Sequence, residues 1–236
     1  MSGCQMMLTN NVQQASAPLG IVTSDLQLYL NAADPASYPG SGTTWTDLSP
    51  NAYATTLVGS PTYSTTYFNF PNTSARYVDT NQSLASDNFS VGGWFRTSAG
   101  GLKMTVCKEQ VGGWPWNYRI YYNGGQIVGD IAQSGAANQA IASPLTNYNN
   151  GSWYLVMFTR NTSTLKLYVN NTEVNSVANT LVGSITNSQE LWIGRSAYVG
   201  AYQWVGDIGQ VFIYNEVLTL EQIQQNYNAT RATYGL

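Results

Sequence analysis

Histidine is absent from this 236-residue chain. Every Ser-His-Asp or Cys-His nucleophilic site is therefore excluded, because each needs an imidazole to take the nucleophile's proton. Cysteine occurs twice, at Cys4 and Cys107, too few and too far apart for a zinc site or a disulfide framework. Cys107 lies in the alternating run LKMTVCK and reads as a small apolar residue packed in a core. Charge is also scarce, at 9 % of residues, with 9 Lys+Arg against 12 Asp+Glu. A net charge of -3 gives no basic surface for a polyanion, so nucleic acid is not an expected partner. No apolar run approaches about 18 residues, so no membrane insertion is expected. The opening MSGCQMMLTN has neither the basic segment nor the apolar core of a secretory leader or lipoprotein anchor. Paired acids are missing as well. Glycosidases work with two carboxylates about 5 to 10 Å apart, whereas Asp207 and Glu216 stand isolated in the sequence, so the chain is not expected to be an enzyme.

Aromatics, by contrast, reach 13 %, with 17 Tyr and 7 Trp, and Ser, Thr, Asn and Gly fill most polar positions. A surface solvated by hydroxyls and amides is common in extracellular, cell-wall and virion proteins. The most informative stretch is residues 152–177, SWYLVMFTRNTSTLKLYVNNTEVNSV. Two runs of strand formers, 153–159 and 165–169, flank a polar turn, and Asn170-Asn171 turns the chain again: a β-meander. In 165–169 the residues Leu165, Leu167 and Val169 point to a core, and Lys166 and Tyr168 point to water. In 153–159 both faces are apolar, as expected of a central strand covered on both sides.

Upstream, residues 1–22 are polar and without period, and an arm over 1–24 is expected that orders only against a partner. Residues 25–236 read as one domain. Strands are expected at 25–31, 54–58, 66–70, 75–79, 88–97, 102–108, 118–122, 126–131 and, weakly, within 135–146. The pair 88–97 and 102–108 is expected to form a hairpin across Ser98-Ala99-Gly100-Gly101, and Gly92-Gly93 to mark a bulge or a close strand contact. Asn123-Gly124-Gly125 signals a second hairpin. Strands at 191–194 and 203–214 complete the count. Only the end is helical: Thr219-Leu220-Glu221-Gln222 is a capping box, with Leu220, Ile223 and Tyr227 on one face for packing at the sandwich edge. The pattern is all-β, a two-sheet antiparallel jelly-roll sandwich with one short C-terminal helix. Trp45, Trp94 and Trp153 sit inside strand patterns and are expected in the core.

Four stretches, LYLNAADPASYPGSGTTWTDLSPNAYATTL, FSVGGWF, WYLVMFTRNTSTLKLYVNNTEV and LWIGRSAYVGAYQWVGDIGQVFIYNEVLTLEQIQQNY, resemble in order the laminin-G-like jelly roll of the concanavalin A-like lectin/glucanase superfamily. The segment SYPGSGTTW at residues 37–45 is similar to the variant found in phage and large-virus structural proteins. The resemblance implies a lectin-like domain, and that variant implies a virion component (a minor capsid, fibre or surface protein) with other coat proteins as partners. The alternative is a secreted or cell-surface adhesin domain that binds carbohydrate. Glucanases of the superfamily carry Glu-x-Asp-x-x-Glu on one strand, and this chain has no such triplet. Pro50 and Ala52 stand where glycine is frequent and Gln210 where an acid is frequent, which argues against an inherited calcium site. No cofactor is expected.

Sugars offer C–H faces that stack on aromatic rings and hydroxyls that suit amides and carboxylates. Gly112-Gly113-Trp114-Pro115-Trp116-Asn117-Tyr118 is therefore the first candidate glycan loop, and Tyr198, Tyr202 and Trp204 form the second. The alternative for all six rings is packing beneath their own loops. Calcium would need several oxygens, and Asp47, Asp79, Asp130 and Asp207 are the acids to supply them. Turn and capping roles are the competing explanation for these acids.

Overall fold

The computed structural model describes residues 20–72, 75–109, 115–134, 138–181, 183–197 and 202–236. Within them the alternating runs become strands: β1 Leu26–Asn31, β2 Thr44–Thr46, β3 Ala54–Val58, β4 Thr62–Ser64, β5 Tyr67–Phe70, β6 Tyr77–Asp79, β7 Phe89–Arg96 and β8 Lys103–Glu109. There follow β9 Trp116–Asn123, β10 Gln126–Ala132, β11 Asn138–Ala142, β12 Trp153–Arg160, β13 Thr164–Val169, β14 Thr172–Ala178, β15 Leu191–Ile193 and β16 Gly206–Tyr214. Helix α1, Leu220–Thr230, and a 3-10 turn, Arg231–Tyr234, close the chain. The strands form two antiparallel eight-stranded sheets. Sheet A runs β14-β13-β12-β7-β16-β5-β4 with β1 also on β16; sheet B runs β11-β10-β9-β8-β15-β6-β3-β2. This is a jelly-roll sandwich.

The meander is β12, β13 and β14, and β12 is central, paired with β13 on one side and β7 on the other. Val156 and Phe158 point into the core between the sheets, and Trp153, Leu155 and Met157 point to the outer face of sheet A. That second face is covered too. Trp94, Phe212 and Tyr214 extend it across β7 and β16, and Ile223 and Tyr234 from the C-terminal segment lie over it. Burying both faces explains why the three strands read as nearly continuous apolar runs. Trp45, Trp94 and Trp153 are all buried. Gly92 and Gly93 lie where β12 and β16 crowd β7: a Cβ on Gly92 would meet the Val156 carbonyl, and one on Gly93 the Gln210 carbonyl.

Several expectations need correcting. The 88–97 and 102–108 runs are not a hairpin: β7 pairs with β12 and β16, while β8 pairs with β9 and β15 in the other sheet. Residues 97–102 carry the chain from one sheet to the other, held where Thr97 Oγ1 donates to the Val205 carbonyl at 2.6 Å. A glycine-rich turn bends in either direction, so it cannot distinguish a hairpin from a crossover. The last strand begins at Gly206, not at 203, and the three-residue strands β2 and β4 are too short to show a period. Tyr168, expected to face water, is buried with the outer cluster of sheet A. The helix packs over the face of sheet A, not its edge, and buries Ile223, Asn226 and Thr230, leaving Leu220 exposed. Its polar contacts fix that position: Trp94 Nε1 donates to Thr230 Oγ1 at 2.8 Å and Asn226 Nδ2 to the Tyr214 hydroxyl at 3.0 Å. Thr219 forms the expected capping box.

Candidate functional site

The strand period decides the fate of the aromatic candidates. Tyr118 alternates inward with Ile120 and Tyr122 along β9, packs on Phe89 at 4.7 Å and donates its hydroxyl to the Leu84 carbonyl at 2.8 Å. Trp204 meets Tyr122 edge-on at 5.1 Å and is equally buried. Both rings fill the core instead of facing a ligand. Trp114 and Tyr198 lie outside the described residues. Trp116 is half-buried with its ring against the Arg119 guanidinium at 3.5 Å, and Tyr202 is exposed.

Trp116 leads to the outer face of sheet B. One register row there runs Asp79, Trp192, Cys107, Arg119 and Asp130 across β6, β15, β8, β9 and β10. Arg119 lies between two buried carboxylates: Nη1 donates to Glu109 Oε1 at 3.1 Å, and Nη2 and Nε to Asp130 Oδ2 at 2.7 and 3.0 Å. Asn138 also donates to Asp130, and the Ser196 hydroxyl, from the loop after β15, to Glu109. Burial pushes the Asp130 carboxyl up and the Arg119 charge pulls it back down. The Cys107 thiol, buried beside Glu109, is pushed well above its ordinary value, which keeps it a thiol and removes it as a nucleophile.

Next to this network opens a cleft of about 190 Å³ lined by Glu109, Ser188, Gln189, Glu190, Trp192 and Ala197. Trp192 is half-buried and packs on Tyr77 at 4.6 Å, and the Arg195 guanidinium lies over both rings at 5.7 and 5.3 Å. A flat ring beside carboxylates, an amide and a hydroxyl can stack on the apolar face of a sugar and bind its hydroxyls. Sequence reasoning missed Tyr77, Trp192 and Glu190. The signal was present in Leu-Trp-Ile, where Trp192 is out of phase with the inward Leu191 and Ile193, but a three-residue strand is too short to fix its phase alone.

A laminin G model described as the concanavalin A-like lectin/glucanases superfamily matches residues 71–224. The chain belongs to that superfamily. Among solved structures, this concanavalin A-like domain is similar to the binding domain of botulinum neurotoxin DC in complex with SialylT (TM-score 0.66, 14 % identity, 88 % of this chain and 52 % of that one). It is similar as well to the same domain in complex with rat synaptotagmin II (TM-score 0.67, 15 % identity, 88 % and 52 %). A third match is botulinum neurotoxin type C, whose cell entry is described as dependent on two ganglioside molecules (TM-score 0.66, 15 % identity, 87 % and 51 %). The chain spans about half the length of each. A search of curated proteins finds no match.

Among the described residues of this concanavalin A-like domain, no group of three or more Cys, Asp or Glu is placed to share a metal ion. The four acids considered for calcium are engaged elsewhere. Asp47 accepts from the backbone N–H of Tyr29, Ser49 and Tyr53 and from the Ser49 hydroxyl, and it staples the 47–53 turn to β1. Asp79 accepts from the Asn81 N–H at 3.0 Å, Asp130 binds Arg119, and Asp207 binds Arg96. Gln210 is buried and donates to Asn31 Oδ1 at 3.2 Å.

Proposed function

We propose that this domain is a non-catalytic carbohydrate-binding module whose site is the outer face of sheet B around Trp192. The observation that carries the reading is the half-buried Trp192, backed by Tyr77, lining a cleft furnished with Glu109, Gln189 and Glu190. Concave sites with a few convergent polar groups beside aromatic walls are where small polar ligands bind. The fold shared with the neurotoxin binding domains, two of them described with SialylT or gangliosides, supports the reading. The setting we propose is a virion surface or minor capsid component, supported by the 37–45 segment; a secreted or cell-surface adhesin is the other setting compatible with the same site. Finding the protein in purified particles, not free in the medium, would separate the two.

A glycan array probed with purified protein, with and without a calcium chelator, tests the binding role. Saturable binding to at least one glycan is expected, weakened about tenfold or more in Trp192→Ala, since stacking on one ring contributes about 1–3 kcal/mol by analogy with base–aromatic stacking. A folded protein that binds no glycan, or binding that Trp192→Ala leaves unchanged, would overturn the assignment. Loss on chelation would show that a metal takes part.

A further inference from the structure

A second register row, on the outer face of sheet A, builds a site of different character. Asn69, Asp207, Arg96 and Trp153 stand side by side on β5, β16, β7 and β12. Arg96 Nε donates to Asp207 Oδ2 at 2.7 Å and Asn69 Nδ2 donates to Asp207 Oδ1 at 2.7 Å. The guanidinium lies over the rings of Tyr67 and Trp153, 4.9 and 4.8 Å from their centroids, and the two rings pack edge-on at 5.6 Å. The Asp207 side chain is 10 % exposed and that of Arg96 31 %. At this row opens a cleft of about 450 Å³, lined by Asn69, Arg96 and Asp207 together with Phe70, Pro71 and residues 97–99, 151 and 205–206. The helix and the 3-10 turn cover the neighbouring part of the same face, with Tyr234 against Trp153 at 4.6 Å, but none of their residues lines the cleft.

The electrostatics select the ligand. Arg96 and Asp207 cancel, and no other charged residue among the described ones lines the cleft. Each carboxylate oxygen receives one hydrogen bond from the row and keeps a lone pair for another donor, while the guanidinium has further N–H groups beyond Nε. Fixed donors and acceptors side by side at zero net charge match a group whose neighbouring hydroxyls each donate and accept. We propose that this cleft is a second saccharide site, which recognises the vicinal diol of a neutral sugar and lies on the opposite side of the sandwich from Trp192. It stands on its own geometry and does not depend on the sheet B reading.

Amide chemical shifts of the ¹⁵N-labelled protein, titrated with methyl α-mannopyranoside and methyl β-galactopyranoside to about 100 mM, test it; that ceiling saturates a site with a millimolar Kd. Saturable shifts are expected at Thr97, Gly151 and Gly206 with at least one glycoside. Ser98→Trp, which fills the cleft from an exposed loop position, should abolish them. Asp207→Asn, which keeps the side-chain shape, should weaken binding at least tenfold, and Trp192→Ala should leave these shifts unchanged. Absence of saturable shifts at those amides in the wild-type protein would overturn the proposal. So would shifts produced only by N-acetylneuraminic acid and retained in Asp207→Asn, since those would mark an anion site at Arg96 alone. Absence of array binding by the folded wild-type protein, with these shifts present, would overturn the Trp192 reading and leave this one standing.

Discussion

Lys108 carries its ammonium to a fully buried place among neutral oxygens. Nζ donates to Ser83 Oγ at 3.2 Å, to Asn187 O and Oδ1 at 3.0 and 2.9 Å, and to the Gln189 carbonyl. A cation is thus what gathers the 83 and 187–189 segments at the end of β8. The four acceptors favour the charged form, yet burial prevails and lowers the pKa to about 8. The free value of a lysine is about 10.4. Between these two values the unfolded chain holds more protons than the folded one, so this residue makes stability rise with pH across that window. Urea titrations at pH 8 and 9.5 should show a gain of about 1–2 kcal/mol attributable to Lys108, absent in Lys108→Met, which should itself be less stable at both values. Ala52 makes a second prediction. It closes the Asp47-stapled turn with φ 52, a left-handed conformation that a Cβ disfavours by about 1–2 kcal/mol. Ala52→Gly should raise stability by about 0.5–1 kcal/mol after the extra freedom of the unfolded glycine is deducted, measurable as a higher Tm. A drop in Tm would show that the turn tolerates the Cβ without cost.

Strands rather than residues set the limits of what the sequence discloses. β12 announced its central place because Val156 and Phe158 on one side and Leu155 and Met157 on the other are all apolar, and β9 and β10 announced their turn through Gly124 and Gly125. Partnership was harder to read. β7 and β8 follow one another through a glycine turn yet lie in different sheets, because a jelly roll pairs strands distant in sequence and a short connection serves either purpose. The glycines of β7 did carry information of the right kind: they mark where neighbouring backbones come closest. Gly93→Ala should therefore cost about 3 kcal/mol, because the strand carrying Gln210 would have to shift, and a denaturation midpoint unchanged from wild type would refute the close-packing explanation. The candidate site was half legible for a similar reason. An aromatic-rich loop pointed to Trp116, but Tyr118 and Trp204 obey strand phases that direct them inward, while Trp192 was concealed in a strand too short to show its own phase. The Asn69–Asp207–Arg96 row could not be seen at all, since its members are separated by 138 and 111 positions and become neighbours only through register.

At the level of the whole molecule the two outer faces differ in what covers them. Sheet B leaves Trp192, Tyr77 and the Arg119 network facing outward, with the 194–197 loop laid over Cys107 and Glu109. Sheet A is roofed by the helix and by the start of the described chain: the Val22 N–H donates to Asn226 Oδ1 at 2.8 Å, and Gln225 Nε2 donates to the Gly20 carbonyl at 2.7 Å. Val22 and Tyr234 thus belong to the same apolar cluster, so both ends of the described chain lie on one side of the sandwich. That gives the domain a polarity. Trp192, on the outer face of the opposite sheet, therefore points away from both ends of the described chain.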